Sequence, residues 1–152
     1  NLFIGSGLFD YARLAAAGIR IALATDVGGG TSYSMLRTAA EAYKVMQVQG
    51  QNLPALIAFD LITRGNAAAL GLAGEIGTIT PGAFADLVVL DARATPAMAH
   101  RMAVARDLEA ELFVLTTLGD DRAVRQTYIA GEPALRPKPQ DDRAISRAGG
   151  ST

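Results

Sequence analysis

The sequence predicts an α/β fold: a βα unit over residues 1–72 joined to a small β-rich module over residues 73–135. Three observations carry this. Ile19-Arg20-Ile21-Ala22-Leu23-Ala24-Thr25 is a short, mostly apolar, partly β-branched run, the kind found in a strand buried on both faces of a parallel sheet. Helical stripes flank it on either side. Beyond residue 72 the texture changes to short runs of strand formers, punctuated by Pro81-Gly82 and Gly131-Glu132-Pro133. With 152 residues, 50% hydrophobic and 19% charged, the chain has ample apolar material for a core and is not disordered.

Within Gly7–Gly18, residues Leu8, Tyr11, Leu14 and Ala15 recur at spacings of three and four, which predicts a helix that Gly18 ends. After the strand comes Asp26 and a glycine-rich loop, Val27 to Ser34. A second helix runs from Met35 to about Gln49, with Leu36, Ala39, Ala40, Tyr43 and Met46 on one face. Pro54 falls in the first turn of a third helix, where its missing N–H costs nothing, and Leu56, Phe59, Leu61 and Ile62 supply the apolar side. Gly65-Asn66 punctuates it, and Asn66–Gly71 forms one more short helix. Ile76–Thr80 and Asp86–Leu90 then read as two strands around the Pro81-Gly82 turn. A helix over Asp107–Leu118 carries Leu108, Leu112 and Leu115. Val124–Ala130 is a strand, turned by Gly131-Glu132-Pro133 into a hairpin that returns through Ala134-Leu135. Residues 136–152, with Pro137, Pro139 and scattered charge, read as a mobile tail. One parallel strand cannot make a sheet, so its neighbours are expected from another chain segment, and the chain from the C-terminal part of a longer protein. Its start at Asn1, without a methionine or a signal pattern, agrees with that expectation.

Composition narrows the chemistry. With 14 Lys+Arg against 15 Asp+Glu, a formal charge of −1 provides no field to draw the chain to nucleic acid or an anionic membrane. Its apolar runs are far shorter than the ~20 residues that cross a bilayer. The absence of cysteine excludes disulfides, thiolate metal sites and a cysteine nucleophile, and favours a cytoplasmic setting. A single histidine leaves no complete zinc site visible, because catalytic zinc normally takes three protein ligands, most often histidines.

Asp26 is the strongest candidate for chemistry. An acidic residue at the carboxyl end of a buried parallel strand lies where α/β barrels and open sheets place their working groups. The competing reading is a loop aspartate that caps a turn through its side chain. Gly28-Gly29-Gly30 has no lysine in phosphate-loop spacing and lacks the spaced glycines of dinucleotide sites, so it reads as a device for an unusual backbone path or a close approach. His100 has no acidic or histidine partner three or four positions away and reads as solvent-facing or capping. Ser32 and Ser34 have no visible base to activate them. Asp120-Asp121 and Glu109/Glu111 read as solvated charges.

Ala24-Thr25-Asp26, then Gly77-Thr78-Ile79 with Pro81-Gly82 and Ala85 to Asp91, then Val124 and Tyr128-Ile129-Ala130-Gly131, resemble in order and spacing the amidohydrolase superfamily. These are metal-dependent (β/α)8-barrel hydrolases with an accessory β-sandwich. Within it, residues 1–9 and 25–38, with Glu41-Ala42-Tyr43-Lys44, closely resemble the guanine deaminases, and the likeness runs to about residue 135. The Ser-Asn-Asn type of segment that other deaminases and chlorohydrolases carry after the strand-eight aspartate is absent.

The resemblance implies that residues 1–72 are the last βα units of the barrel. Residues 73–135 would be part of the sandwich with an inserted helix, and residues 136–152 a tail. It implies conversion of guanine and water to xanthine and ammonia with a zinc-activated water, iron being the other candidate metal. Asp26 would be both metal ligand and proton acceptor. It further implies, as partners, the missing N-terminal part of the enzyme and a second subunit in a homodimer of the full enzyme, in the cytoplasm. The family's paired histidines, further histidine ligands and glutamate proton shuttle have no counterpart in these residues, so the ligand set is incomplete and the chain alone is expected to be inactive. The alternatives are another purine or triazine aminohydrolase of the superfamily, or a non-catalytic interaction module.

Overall fold

Side-chain caps mark the starts of several helices in the computed structural model, which describes residues 2–134. α1 (Tyr11–Ala16) starts where the Asp10 carboxylate accepts a hydrogen bond from the Arg13 N–H at 3.1 Å. This cap makes α1 shorter than the Gly7–Gly18 stripe predicts and leaves Leu8 and Phe9 outside it, exposed. α2 (Met35–Val48) is capped by the Ser34 hydroxyl, and α3 (Ala55–Leu61) follows directly on Pro54. α4 (Arg64–Ala69) begins two residues earlier than predicted and closes before Gly71, at φ +78°.

α5 (Pro96–Met102) was not anticipated, although Thr95 caps it and Pro96 stands in its first turn. Its buried residues, Met98 and Met102, lie one turn apart on the face turned inward. α6 (Leu108–Leu118) is capped by Asp107, which accepts from the Ala110 N–H at 2.8 Å. Glu109 and Glu111 sit in its first turn, where the helix dipole favours negative charge. A 3₁₀ turn over Asp121–Ala123 leads out of it.

Three antiparallel strands follow the order β1 (Leu87–Leu90), β2 (Val124–Ile129), β3 (Glu132–Pro133). Leu87 pairs with Tyr128 and Val89 with Gln126, and the register shifts between Val89 and Leu90. Ala130 and Gly131, at φ 50° and 85°, make a two-residue hairpin turn with both central residues left-handed. That turn lies one residue before the predicted Gly131-Glu132-Pro133. Ala134 returns a hydrogen bond to the Thr127 carbonyl, whereas Leu135 and the predicted tail over 136–152 lie outside the described residues.

One predicted strand is corrected, and another is extended but unpaired among the described residues. Ile76–Thr80 is a loop: Gly77, at φ +86°, tucks against α4, and Ile79 is 88% exposed. β1 finds its partner instead in β2, across α5 and α6. Ile19–Thr25 is extended but pairs with no strand among the described residues, and it is not buried on both faces. Ile21, Leu23 and Thr25 are half-buried, while Ala22, Ala24 and Asp26 are exposed, the alternation of a strand with one covered face.

The covered face of that segment meets a core cluster of Ala39, Met46, Leu53, Ala58 and Leu61. A second cluster joins Leu36, Met98, Met102, Val114, Leu115 and Ala123, and Ile62 borders both. α2 and α3 both pack on α6, and the Tyr43 and Phe113 rings meet edge to face at 5.3 Å. Each fully buried side chain of the size of Leu53 or Met98 contributes about 1.5–3 kcal/mol. Thr116 is buried among them with its hydroxyl satisfied by the Leu112 carbonyl at 2.8 Å.

Candidate active site

Asp26 stands at the carboxyl end of the extended segment, exposed, with its side chain in no hydrogen bond or ion pair among the described residues. Among the described residues it is one of two non-glycine residues with positive φ, at 49°, a conformation that aspartate tolerates better than most side chains. Its carbonyl accepts from the N–H groups of Gly29 (2.9 Å) and Gly30 (2.5 Å), and Val27 bridges to Gly30. The backbone therefore doubles back directly after Asp26. The close-approach reading of Gly28-Gly29-Gly30 holds: a Cβ at Gly30 would lie 1.9 Å from the Thr25 carbonyl oxygen, and Gly28 has φ +103°. The alternative reading of Asp26, a side chain capping its own turn, does not describe this loop, because the turn is closed by its carbonyl.

A groove of about 640 Å³ runs along the segment, lined by Ile21 to Asp26, by Gly29 to Ser32, and by Phe9, Arg37 and Glu41. One wall is the extended segment and the other is α2 from Arg37 to Met46. Asp26 is one of its lining residues.

A residue outside the motif holds the segment in place. The Asn66 carboxamide accepts from the Leu23 N–H at 3.0 Å and donates to the Leu23 carbonyl at 2.7 Å, as a neighbouring strand would. Arg20 adds a hydrogen bond to the Ala68 carbonyl at 2.7 Å. Both ties run to α4, so α4 fixes the position of the segment three residues before Asp26. In sequence Asn66 was visible only as punctuation, since nothing local says which backbone it will reach.

The remaining candidates take local roles. Ser34 caps α2, and the Ser32 hydroxyl accepts from the Ser34 N–H at 3.0 Å, so both serve the loop after Asp26. His100 is exposed in the last turn of α5, where a cation suits the helix dipole. Asp120 caps the 3₁₀ turn and grips the Arg122 guanidinium at 2.7 and 3.0 Å, and this pairing holds its carboxyl below the usual value.

Among the described residues, no group of three His, Cys, Asp or Glu side chains is placed to hold a metal ion. Asp26 is a donor of the type a divalent metal takes, but by itself it does not make a site. The described residues also include no helix long and apolar enough to cross a membrane.

The described residues thus present an extended segment backed by helices, with an exposed carboxylate at its carboxyl end beside an open groove. The chain belongs to the amidohydrolase family, whose pattern matches residues 1–134. It is 45% identical over 131 residues to a guanine deaminase of Escherichia coli (strain K12), covering 86% of this chain and 30% of that protein. A solved structure of E. coli guanine deaminase matches it with a TM-score of 0.87 and 43% identity, over 91% of this chain and 32% of that one. An adenosine deaminase from Xanthomonas campestris, solved with bound zinc, matches with a TM-score of 0.67 and 28% identity, over 97% of this chain and 33% of that one. The chain thus spans about a third of the length of these relatives.

Proposed function

We propose that this chain is the C-terminal part of a guanine deaminase that converts guanine and water to xanthine and ammonia. Residues 1–72 would be the last βα units of its barrel, residues 73–135 part of the accessory sandwich with the helices inserted in it, and residues 136–152 a tail. The observation that carries the reading is the 45% identity to the E. coli enzyme, joined to an exposed carboxylate that lines the groove and is unpaired among the described residues.

In this reading Asp26 does two things. It supplies one oxygen ligand to a divalent metal, and it takes a proton from the attacking water and passes it toward the departing amine. A metal in such a site supplies the acidity that makes water nucleophilic near neutral pH. The water oxygen bonds to C2 of guanine, the bond from C2 to its exocyclic nitrogen breaks, and the nitrogen leaves as ammonia. The other metal ligands and the groups that read the purine belong to the rest of the longer protein, which would also line the open side of the groove. Zinc is the metal we favour, with iron the other candidate. A cytoplasmic homodimer is the form we expect of the whole enzyme, and the 152-residue chain alone should neither hold metal tightly nor consume guanine.

The test is loss of guanine absorbance with the full-length protein that carries these residues. Asp26→Ala should lower kcat by about 10²- to 10⁴-fold. Undiminished activity in that variant would remove Asp26 from the mechanism. A wild-type protein that ignores guanine but deaminates adenosine or a triazine would overturn the substrate.

A further inference from the structure

The three consecutive glycines after Asp26 do different work, and one of them bears on the carboxylate. At Gly28 the backbone is left-handed, with φ +103° and open space around it, so the requirement there is conformational. At Gly30 a Cβ would lie 1.9 Å from the Thr25 carbonyl oxygen, so the requirement is a close backbone approach. Gly29 has neither constraint. Its φ is not left-handed, and the three atoms nearest a Cβ there all belong to the Asp26 side chain: Oδ2 at 2.5 Å, Cγ at 3.2 Å and Oδ1 at 3.6 Å.

We propose that Gly29 is a positioning residue for the Asp26 carboxylate: the empty space at its α-carbon is the seat into which that carboxylate folds over its own loop. The inference rests on the reading that Asp26 carries the chemistry. A methyl group at position 29 would not strain the backbone, and the carboxylate is free to rotate away from it because nothing else among the described residues holds it. The loop would keep its shape while the carboxylate left its place. A residue of purely structural importance behaves in the opposite way, losing stability together with function.

The experiment is a double-mutant cycle in the full-length protein with Gly29→Ala, Asp26→Ala and the pair. The readouts are metal retained against a chelator, kcat and KM for guanine, and the midpoint of thermal unfolding. Gly29→Ala should retain metal about 10- to 100-fold less well. Its kcat should fall on the order of 100-fold, as expected for a catalytic group displaced by about 1 Å, with KM little changed. Its unfolding midpoint should stay within about 2 °C of wild type. In the Asp26→Ala background the same change should add nothing, because the atoms it displaces are gone. Unaltered metal retention and kcat in Gly29→Ala, or an effect that persists in the Asp26→Ala background, overturns the inference while leaving the role of Asp26 intact. Full activity of Asp26→Ala instead overturns the role of Asp26. If Gly29→Ala fails to fold, a double variant that folds like Asp26→Ala supports the clash with the carboxylate, and one that also fails to fold refutes it.

Discussion

Replacing Asn66 by alanine removes both hydrogen bonds that tie Leu23 to α4, at 3.0 and 2.7 Å. Each such bond contributes about 0.5–1.5 kcal/mol net, and a half-buried group left without a partner costs about 1–3 kcal/mol. The two sides are not equal. The Leu23 N–H keeps a second, longer contact with the Leu61 carbonyl at 3.4 Å, whereas among the described residues its own carbonyl has only the Asn66 amide. The expected loss is therefore about 2 kcal/mol, mostly from the carbonyl side. Asn66→Asp keeps an acceptor for the N–H but sets a carboxylate oxygen against the Leu23 carbonyl, so near neutral pH it should cost at least as much as alanine. Urea unfolding followed by circular dichroism measures both, with an unchanged m-value showing that compactness is preserved. An Asn66→Ala loss below about 0.5 kcal/mol, the range of an indifferent surface substitution, would refute the latch. So would an aspartate variant closer to wild type than the alanine variant.

Other predictions concern the loops that replaced an expected strand and the charges around α6. Gly77→Ala combines a left-handed φ with a Cβ 2.8 Å from that of Ala67, and should cost about 2–4 kcal/mol by denaturant titration. A loss under about 1 kcal/mol would mean the loop moves aside. Asp120 has its carboxyl held below the ordinary 3.8 by the Arg122 guanidinium. A carboxylate depressed on folding adds stability that is complete above its unfolded value and fades as pH drops through the folded one. The stability advantage of wild type over Asp120→Asn should therefore be constant above pH 3.8 and shrink below it. It should be small throughout because the arginine is exposed. Stability measured from about pH 6 to about pH 2 checks this, and an advantage that does not change with pH would refute it.

Much of the site's vicinity was legible in the residues because its determinants are local. Ser34 and Asp107 lie one position before the helices they cap, and each satisfies a backbone N–H three residues ahead. The glycines after Asp26 marked a backbone that doubles back, since only glycine accepts φ +103° or a carbonyl where its Cβ would be. The apolar run before Asp26 marked an extended segment. α5 was as local but was hidden by its alanines, although Thr95-Pro96 and the Met98/Met102 spacing were there to be read.

Strand pairing and the placing of the carboxylate belong to a different order of information. Leu87–Leu90 and Ile76–Thr80 look equally ready to pair, yet among the described residues only the first joins a sheet, and its partner there lies beyond two helices. Asn66 secures Leu23 from 43 residues away, a contact no periodicity records. By itself the sequence determined where α2 and α6 begin, where the backbone must turn sharply and which carboxylate ends the extended run, because each depends on neighbours along the chain. Only the tertiary structure decided which extended runs become strands and what holds Asp26 at the groove, because a strand's hydrogen bonds and a side chain's seat are completed by atoms far off in sequence.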